Sequence, residues 1–160
     1  SFDPQGTITA GNASQLSDGA AAVVVMSRRK AEDFGVVPLG EIVSYGQVAG
    51  PDPSLLHQPA RAITQALTKA TVPLGEVDLF EINEAFAAVV LASLDELGIP
   101  EDRLNVNGGA IALGHPIGMS GTRIALSALY ELQRRKAALA AVGLCGAGGQ
   151  GDAVVLRSLA

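Results

Sequence analysis

The side chains able to do chemistry are few, and they fall in separate segments. Cys145 is the one cysteine among 160 residues. It ends an apolar run and stands directly ahead of Gly146-Ala147-Gly148-Gly149. His115 lies in a glycine-rich stretch, residues 107–121, immediately before Pro116. Asn83 separates an apolar run from a helix-like one in Glu81-Ile82-Asn83-Glu84-Ala85-Phe86. A thiol and an imidazole brought together would allow nucleophilic attack or proton transfer, because the thiolate is the reactive form and a nearby imidazole makes it accessible near neutral pH. Each residue also has a purely structural reading. Cys145 fits as a buried small hydrophobe, His115 as a loop filler, and Asn83 as a helix N-cap. A strand-end amide could equally bind a substrate oxygen or an ordered water. Glycines beside Cys145 and His115 let another group approach the backbone.

Gly146-Ala147-Gly148-Gly149-Gln150-Gly151 matches the dinucleotide pattern G-x-G-x-x-G letter for letter. That mechanism requires a helix after the glycines, whose N-terminus holds the pyrophosphate. Here a strand-like run, Asp152-Ala153-Val154-Val155-Leu156, follows instead, so the dinucleotide reading is rejected. A tight turn between strands, or a loop whose N–H groups face a ligand, remains. His57, in Ser54-Leu55-Leu56-His57-Gln58-Pro59, reads as a loop or helix-start residue. The two histidines and the cysteine lack metal-site spacing.

The elements that must position these groups alternate. Three adjacent valines make residues 19–27 read as a buried strand. A short charged helix over residues 28–34 follows, then a strand over 39–48 and a turn at 50–53. Ala62, Ile63, Ala66 and Leu67 have helical spacing within residues 58–70. A strand over 77–82, an apolar helix over 85–97, a short strand at 104–106, a glycine-rich loop over 108–121 and an amphipathic helix over 122–135 come next. Ser120 is the expected N-cap of that helix. Strands over 138–144 and 153–156 close the chain; the few residues joining them are too short for a parallel crossover, so this pair must be antiparallel. The expected fold class is therefore α/β, a mixed sheet with helices on both faces.

Apolar residues make up 48% of the chain and charged ones 17%, which excludes a disordered segment. The net charge of −5 argues against a general nucleic-acid surface. No apolar run approaches the ~18 residues of a membrane span, and nothing resembles a signal peptide. A lone cysteine forms no internal disulfide, so the cytoplasm is the expected compartment.

Four motifs in order resemble the thiolase superfamily, and within it the acetyl-CoA acetyltransferases. They are Thr9-Ala10-Gly11-Asn12-Ala13-Ser14 with Asp18-Gly19-Ala20-Ala21-Ala22, then Asn83-Glu84-Ala85-Phe86, then the Gly108–Gly121 histidine motif, and Cys145 ahead of its glycines. The resemblance implies a layered αβα half-molecule, with residues 1–27 as the tail of the N-terminal half and 28–160 as the C-terminal domain. It implies Claisen condensation or thiolysis of acyl-CoA thioesters, in fatty acid and lipid metabolism. Coenzyme A enters as part of the substrate, and no covalent cofactor is implied. Cys145 matches the acid/base cysteine, His115 the histidine that activates the nucleophile and holds the thioester oxygen, and Asn83 the asparagine that fixes a water in that oxyanion site. Ala147 falls where a backbone N–H serves a second oxyanion site. Ala13 and Ser14 match a segment lining the pantetheine channel, and Phe86 an aromatic near it.

The family's nucleophilic cysteine belongs to the N-terminal half and has no equivalent among these residues. The resemblance therefore implies a missing N-terminal half as partner, an isolated chain without activity, and a homo-oligomer, with no nucleic-acid or membrane partner. Three positions depart from the family pattern: Ala147, Gln15 beside Ser14, and residues 55–59. Two other readings compete: a non-catalytic partner subunit that docks on a separate N-terminal half, and an acyl-binding module.

Overall fold

The apolar spacing around Ala62 and Ile63 forms the helix it predicts, Gln58–Ala70. A computed structural model describes residues 3–159. Its elements in chain order are α1 (Arg28–Phe34), β1 (Gly40–Ala49), α2 (Gln58–Ala70), β2 (Leu79–Ile82), α3 (Ala87–Leu97), α4 (Ala110–Leu113), α5 (Ser120–Arg135), β3 (Leu139–Gly146) and β4 (Gln150–Ser158). Ser1, Phe2 and Ala160, the outer ends of the expected division, lie outside the described residues.

The strands form one sheet in the order β1-β4-β3-β2. β2 and β3 run parallel, and the other two pairs are antiparallel. The mixed sheet and the closing antiparallel pair are as expected. Residues alternate across the sheet, which is the two-residue period of a strand. Phe80, Ile82, Ala141 and Val155 face α2 and α3, packing with Ala62, Ile63, Ala66, Leu67 and Val90. Leu79, Ala140, Val142 and Leu156 face the opposite way, onto Ile124, Ala128 and Leu132 of α5. Helices therefore cover both faces. Each fully buried Leu, Ile or Phe contributes about 2 kcal/mol, so the two layers fix where β2 and β3 end.

Cys145 is the last residue but one of β3, and only Ala147, Gly148 and Gly149 separate β3 from β4. Gly149 has φ 76°, a region disfavoured for residues with a Cβ. A Cβ there would also collide with the Asp52 carbonyl oxygen.

Residues 19–27 do not form the expected strand. Residues 18–27 carry no regular structure, and Val24 and Val25 are 85% and 71% exposed. A run of valines becomes a strand only when another strand satisfies its backbone, and none of the described residues does so here. The expected strand at 104–106 is a single bridge, Leu104 with Phe80. The loop at 108–121 contains a helical turn, α4. His57 occupies the N-cap position of α2, with Nδ1 2.6 Å from Glu96 Oε2.

Candidate active site

Asn83 is placed by the parallel pairing of β2 with β3. Ile82 is the last paired residue, opposite Gly143, and the Asn83 N–H continues the ladder by donating to the Gly143 carbonyl at 3.0 Å. The chain then turns, with the Ala85 N–H donating to the Asn83 carbonyl. The N-cap position of α3 falls to Phe86, three residues on, so the Asn83 amide caps nothing. Its side chain is 2% exposed, and Nδ2 lies 3.3 Å from His115 Nε2. Asn83 Oδ1 is buried without a hydrogen-bond partner among the described residues.

His115 sits between α4 and α5. Its Nδ1 is 2.6 Å from Ser120 Oγ, and the Ser120 hydroxyl donates to the Pro116 carbonyl at 3.1 Å. With that hydroxyl proton committed, Nδ1–H donates to Ser120 and Nε2 keeps its lone pair toward the Asn83 amide. Ser120 is therefore not the N-cap of α5. Met119 holds that position, and the Ser120 oxygen is occupied by the imidazole and by Pro116. Burial first, and then the Arg123 guanidinium, push the His115 pKa below its ordinary 6.5. Arg123 is itself held by the Gly114 carbonyl at 2.8 Å. The imidazole is neutral at pH 7 and can accept a proton at Nε2.

The segment 12–17 threads between the Asn83 and His115 loops. The Ala87 N–H donates to the Asn12 carbonyl, the Ser14 N–H and Oγ both donate to the Ala85 carbonyl, and Ala13 bridges Phe86 antiparallel. On its far side the His115 N–H donates to the Gln15 carbonyl, and Leu16 bridges His115 in parallel. Ala13, Ser14 and Phe86 are thus brought together, next to His115.

Cys145 occupies the carboxyl end of β3, beside the carboxyl end of β2 where Asn83 emerges. In open α/β sheets ligands bind at the carboxyl ends of parallel strands. Burial pushes the Cys145 thiol pKa up, opposed by a smaller backbone hydrogen-bond effect. Among the described residues no hydrogen bond joins its sulfur to His115 or Asn83. The thiol is therefore a protonated acid at rest and not one half of a preformed thiolate–imidazole pair. Ala147 is exposed in the β3–β4 turn. That turn leads into a strand, so it offers no helix N-terminus to a pyrophosphate.

Three further residues shape the site. Both oxygens of Glu84 accept hydrogen bonds, one from Asn105 Nδ2 at 3.1 Å and one from the Ile111 N–H at 3.0 Å. Asn105 has φ 45°, and its side-chain amide both accepts from the Ile82 N–H and donates to the Ile82 carbonyl, each at 2.8 Å. Glu81 is 3% exposed on β2, with Oε1 unpartnered among the described residues. Its pKa is pushed up to about 7 by burial and then by Glu84, against Arg123, with Glu131 adding to the rise. An acid inside an apolar strand was the signal for Glu81, and an Asn in a turn-rich stretch, three residues ahead of Gly108-Gly109, the weaker one for Asn105.

Chemically, the arrangement offers an amide N–H held against the imidazole Nε2 at 3.3 Å, with a thiol at the neighbouring strand end. A fixed amide donor, and an imidazole nitrogen once it is protonated, stabilise an oxygen that gains charge during a reaction.

Comparison with known proteins matches residues 36–158 to the family described as thiolase, C-terminal domain, and residues 1–29 to thiolase, N-terminal domain. A probable acetyl-CoA acetyltransferase of Mycolicibacterium smegmatis is 61% identical over 156 residues, covering 98% of this chain and 40% of the relative. A 3-ketoacyl-CoA thiolase of Bacillus subtilis is 47% identical over 157 residues, again covering 98% and 40%. The crystal structure of human mitochondrial 3-ketoacyl-CoA thiolase in complex with CoA superposes with a TM-score of 0.96 at 45% identity, covering 100% of this chain and 41% of that one. The chain spans about 40% of the length of the curated relatives it matches.

Proposed function

The chain belongs to the thiolase family, and from that premise we propose that it supplies one wall of an acyl-transfer site for condensation and thiolysis of acyl-CoA thioesters. The observation that carries this reading is the 3.3 Å approach of Asn83 Nδ2 to His115 Nε2, with an orphaned Asn83 Oδ1 beside it. In this reading the nucleophilic thiol comes from outside these residues. His115 takes its proton at Nε2, which changes that nitrogen from acceptor to donor. The new Nε2–H and an Asn83-held water then face the thioester oxygen.

Cys145 starts as an acid, because burial keeps its thiol protonated. It gives its proton to the departing CoA thiolate and becomes the base that removes a proton from the methyl carbon of the second acetyl thioester. Carbon acids beside a thioester ionise only with a well-placed base and a stabilised enolate oxygen. The N–H of Ala147, an exposed residue of the turn after Cys145, serves the second oxyanion. Ala13, Ser14 and Phe86 line the pantetheine path. Residues 1–27 act as the tail of the N-terminal half, and 28–160 as the C-terminal domain.

The remainder of a complete thiolase covers the apolar surface left open here. Val24, Val25, Ile42 and Tyr45 are all exposed, and relatives carry about 60% of their length outside the matched region. Complete molecules of this kind associate as homo-oligomers.

Thiolysis of acetoacetyl-CoA tests the reading. The 160 residues alone are expected to give no turnover. The same residues replacing the matched segment of the Mycolicibacterium smegmatis relative are expected to turn over, and Cys145→Ala or His115→Ala to abolish it. Turnover by the 160 residues alone that is lost in Cys145→Ala would make Cys145 the nucleophile and reverse the assignment.

A further inference from the structure

β2 is an edge strand, and among the described residues its outer side carries only the single bridge of Leu104 to Phe80, with no strand beside Ile82. The Asn105 side chain takes the place of that neighbour. Its Oδ1 accepts from the Ile82 N–H and its Nδ2 donates to the Ile82 carbonyl, which is the pairing a strand would provide. The second Nδ2 hydrogen goes to Glu84 Oε1. One amide thus grips the residues immediately before and after Asn83. Glu84 Oε2 continues the chain of contacts to the Ile111 N–H in α4, and α4 closes with the Gly114 N–H on the Ala110 carbonyl, one residue before His115. Asn105 is anchored in turn by its own N–H on the Phe80 carbonyl.

We propose that Asn105 and Glu84 are positioning residues that set the separation between the Asn83 amide and the His115 imidazole; as a role in catalysis this rests on the acyl-transfer reading. Neither bonds to the Asn83 or His115 side chain, so both act through the backbone on either side of Asn83 and through the loop that carries His115. The site depends on donors held in place before charge develops, and a displacement of about 1 Å can cost ~10²-fold in rate.

Asn105→Asp keeps the side-chain shape but turns Nδ2 into an oxygen that faces two acceptors, the Ile82 carbonyl and Glu84 Oε1. Glu84→Gln in the same molecule restores one of these contacts. The amide it introduces donates from its nitrogen to the new carboxylate at position 105, while its oxygen still accepts from the Ile111 N–H. The variants are made in the enzyme completed with the Mycolicibacterium smegmatis segment, with Leu67→Ala, in the α2 core, as a destabilised control. Asn105→Asp is expected to lower kcat for acetoacetyl-CoA thiolysis about 10²-fold with KM changed less than about threefold, and the double variant to recover about tenfold of the loss. Leu67→Ala is expected to leave both constants unchanged. Should Asn105→Asp fail to fold, Glu84→Gln alone is read the same way, with a loss of about tenfold expected.

A folded Asn105→Asp or Glu84→Gln variant with kcat like that of Leu67→Ala overturns the proposal, as does a double variant no better than Asn105→Asp. If the completed parent itself shows no thiolysis, the acyl-transfer reading fails. The bracket is then decided on the 160-residue chain by nitrogen-15 NMR of the Asn83 amide and the His115 ring. Both sets of resonances are expected to move in Asn105→Asp and not in Leu67→Ala; unmoved resonances overturn the bracket.

Discussion

The Glu84 carboxyl fills the space that any side chain at position 109 would require. A Cβ on Gly109 would overlap Glu84 Cδ and both of its oxygens. The Glu84 head group is the end of a flexible chain, but it is pinned by Asn105 and Ile111. Gly109→Ala therefore folds only by expelling the carboxyl from those two bonds, at a cost of about 2 kcal/mol. Thermal unfolding measures the loss, and in a Glu84→Ala background, where both bonds and the overlap are already gone, Gly109→Ala should cost little more.

His115 gives up its proton more readily than an ordinary histidine because it is buried and faces Arg123. Its neutral form is favoured in the fold, so the unfolded chain binds more protons below pH 6.5. Stability from this group rises with pH through the window that ends near 6.5, and is lost as pH falls through the lowered folded value. Arg123→Gln should move the NMR titration midpoint of His115 upward, with burial still holding it below 6.5.

Ser120→Ala removes the acceptor for His115 Nδ1–H. We expect a stability loss of about 1–2 kcal/mol. We also expect the imidazole to populate the tautomer with its proton on Nε2, which cannot accept from Asn83. Nitrogen-15 shifts of the ring distinguish the two tautomers directly. Ser120→Thr, which keeps the hydroxyl, should preserve the parent pattern.

Two buried carboxyl groups pull stability in opposite directions with pH. Glu81 is held near 7, above its ordinary 4.5, so the folded chain binds the extra proton. Its contribution is full below 4.5 and is lost as pH rises through 7, an effect of about 3 kcal/mol. Glu131 is held down to about 2, chiefly by its hydrogen bond from Arg134, with Arg135 and Asn107 assisting against burial. Its contribution is present above 4.5 and is lost as pH falls through 2. Glu81→Gln should flatten the decline between pH 4.5 and 7 and raise stability at pH 8. Glu131→Gln should reduce the loss between pH 4.5 and 2. Urea unfolding at a series of pH values checks both.

The architecture was legible where one segment carried its own signal. The spacing of Ala62, Ile63, Ala66 and Leu67 is visible within a single helix, and the few residues between the last two strands dictate an antiparallel pair. Residues 19–27 misled because a strand is a relation between two segments, and valine content speaks for only one. Ser120 misled for a similar reason: a serine at a helix start usually caps it, but here an imidazole five residues earlier claims the oxygen. The pairing of Asn83 with His115 spans 32 positions, and the bracket of Asn105 on Ile82 spans 23. No periodicity encodes either. Both depend on where β2 stops, which the packing of Leu79, Phe80 and Ile82 decides.

The thread of residues 12–17 has a consequence for anyone who cuts or recombines this chain. Those residues fall within the stretch matched to the N-terminal family, yet they are stitched to Ala85, Phe86, Ala87 and His115, which lie within the C-terminal match. The boundary that sequence families draw near residue 30 is not a seam in three dimensions. A split protein, a domain swap or a shuffled library divided there would carry away the strip that fastens one loop of the site to the other. A cut upstream of residue 12 would leave that fastening whole.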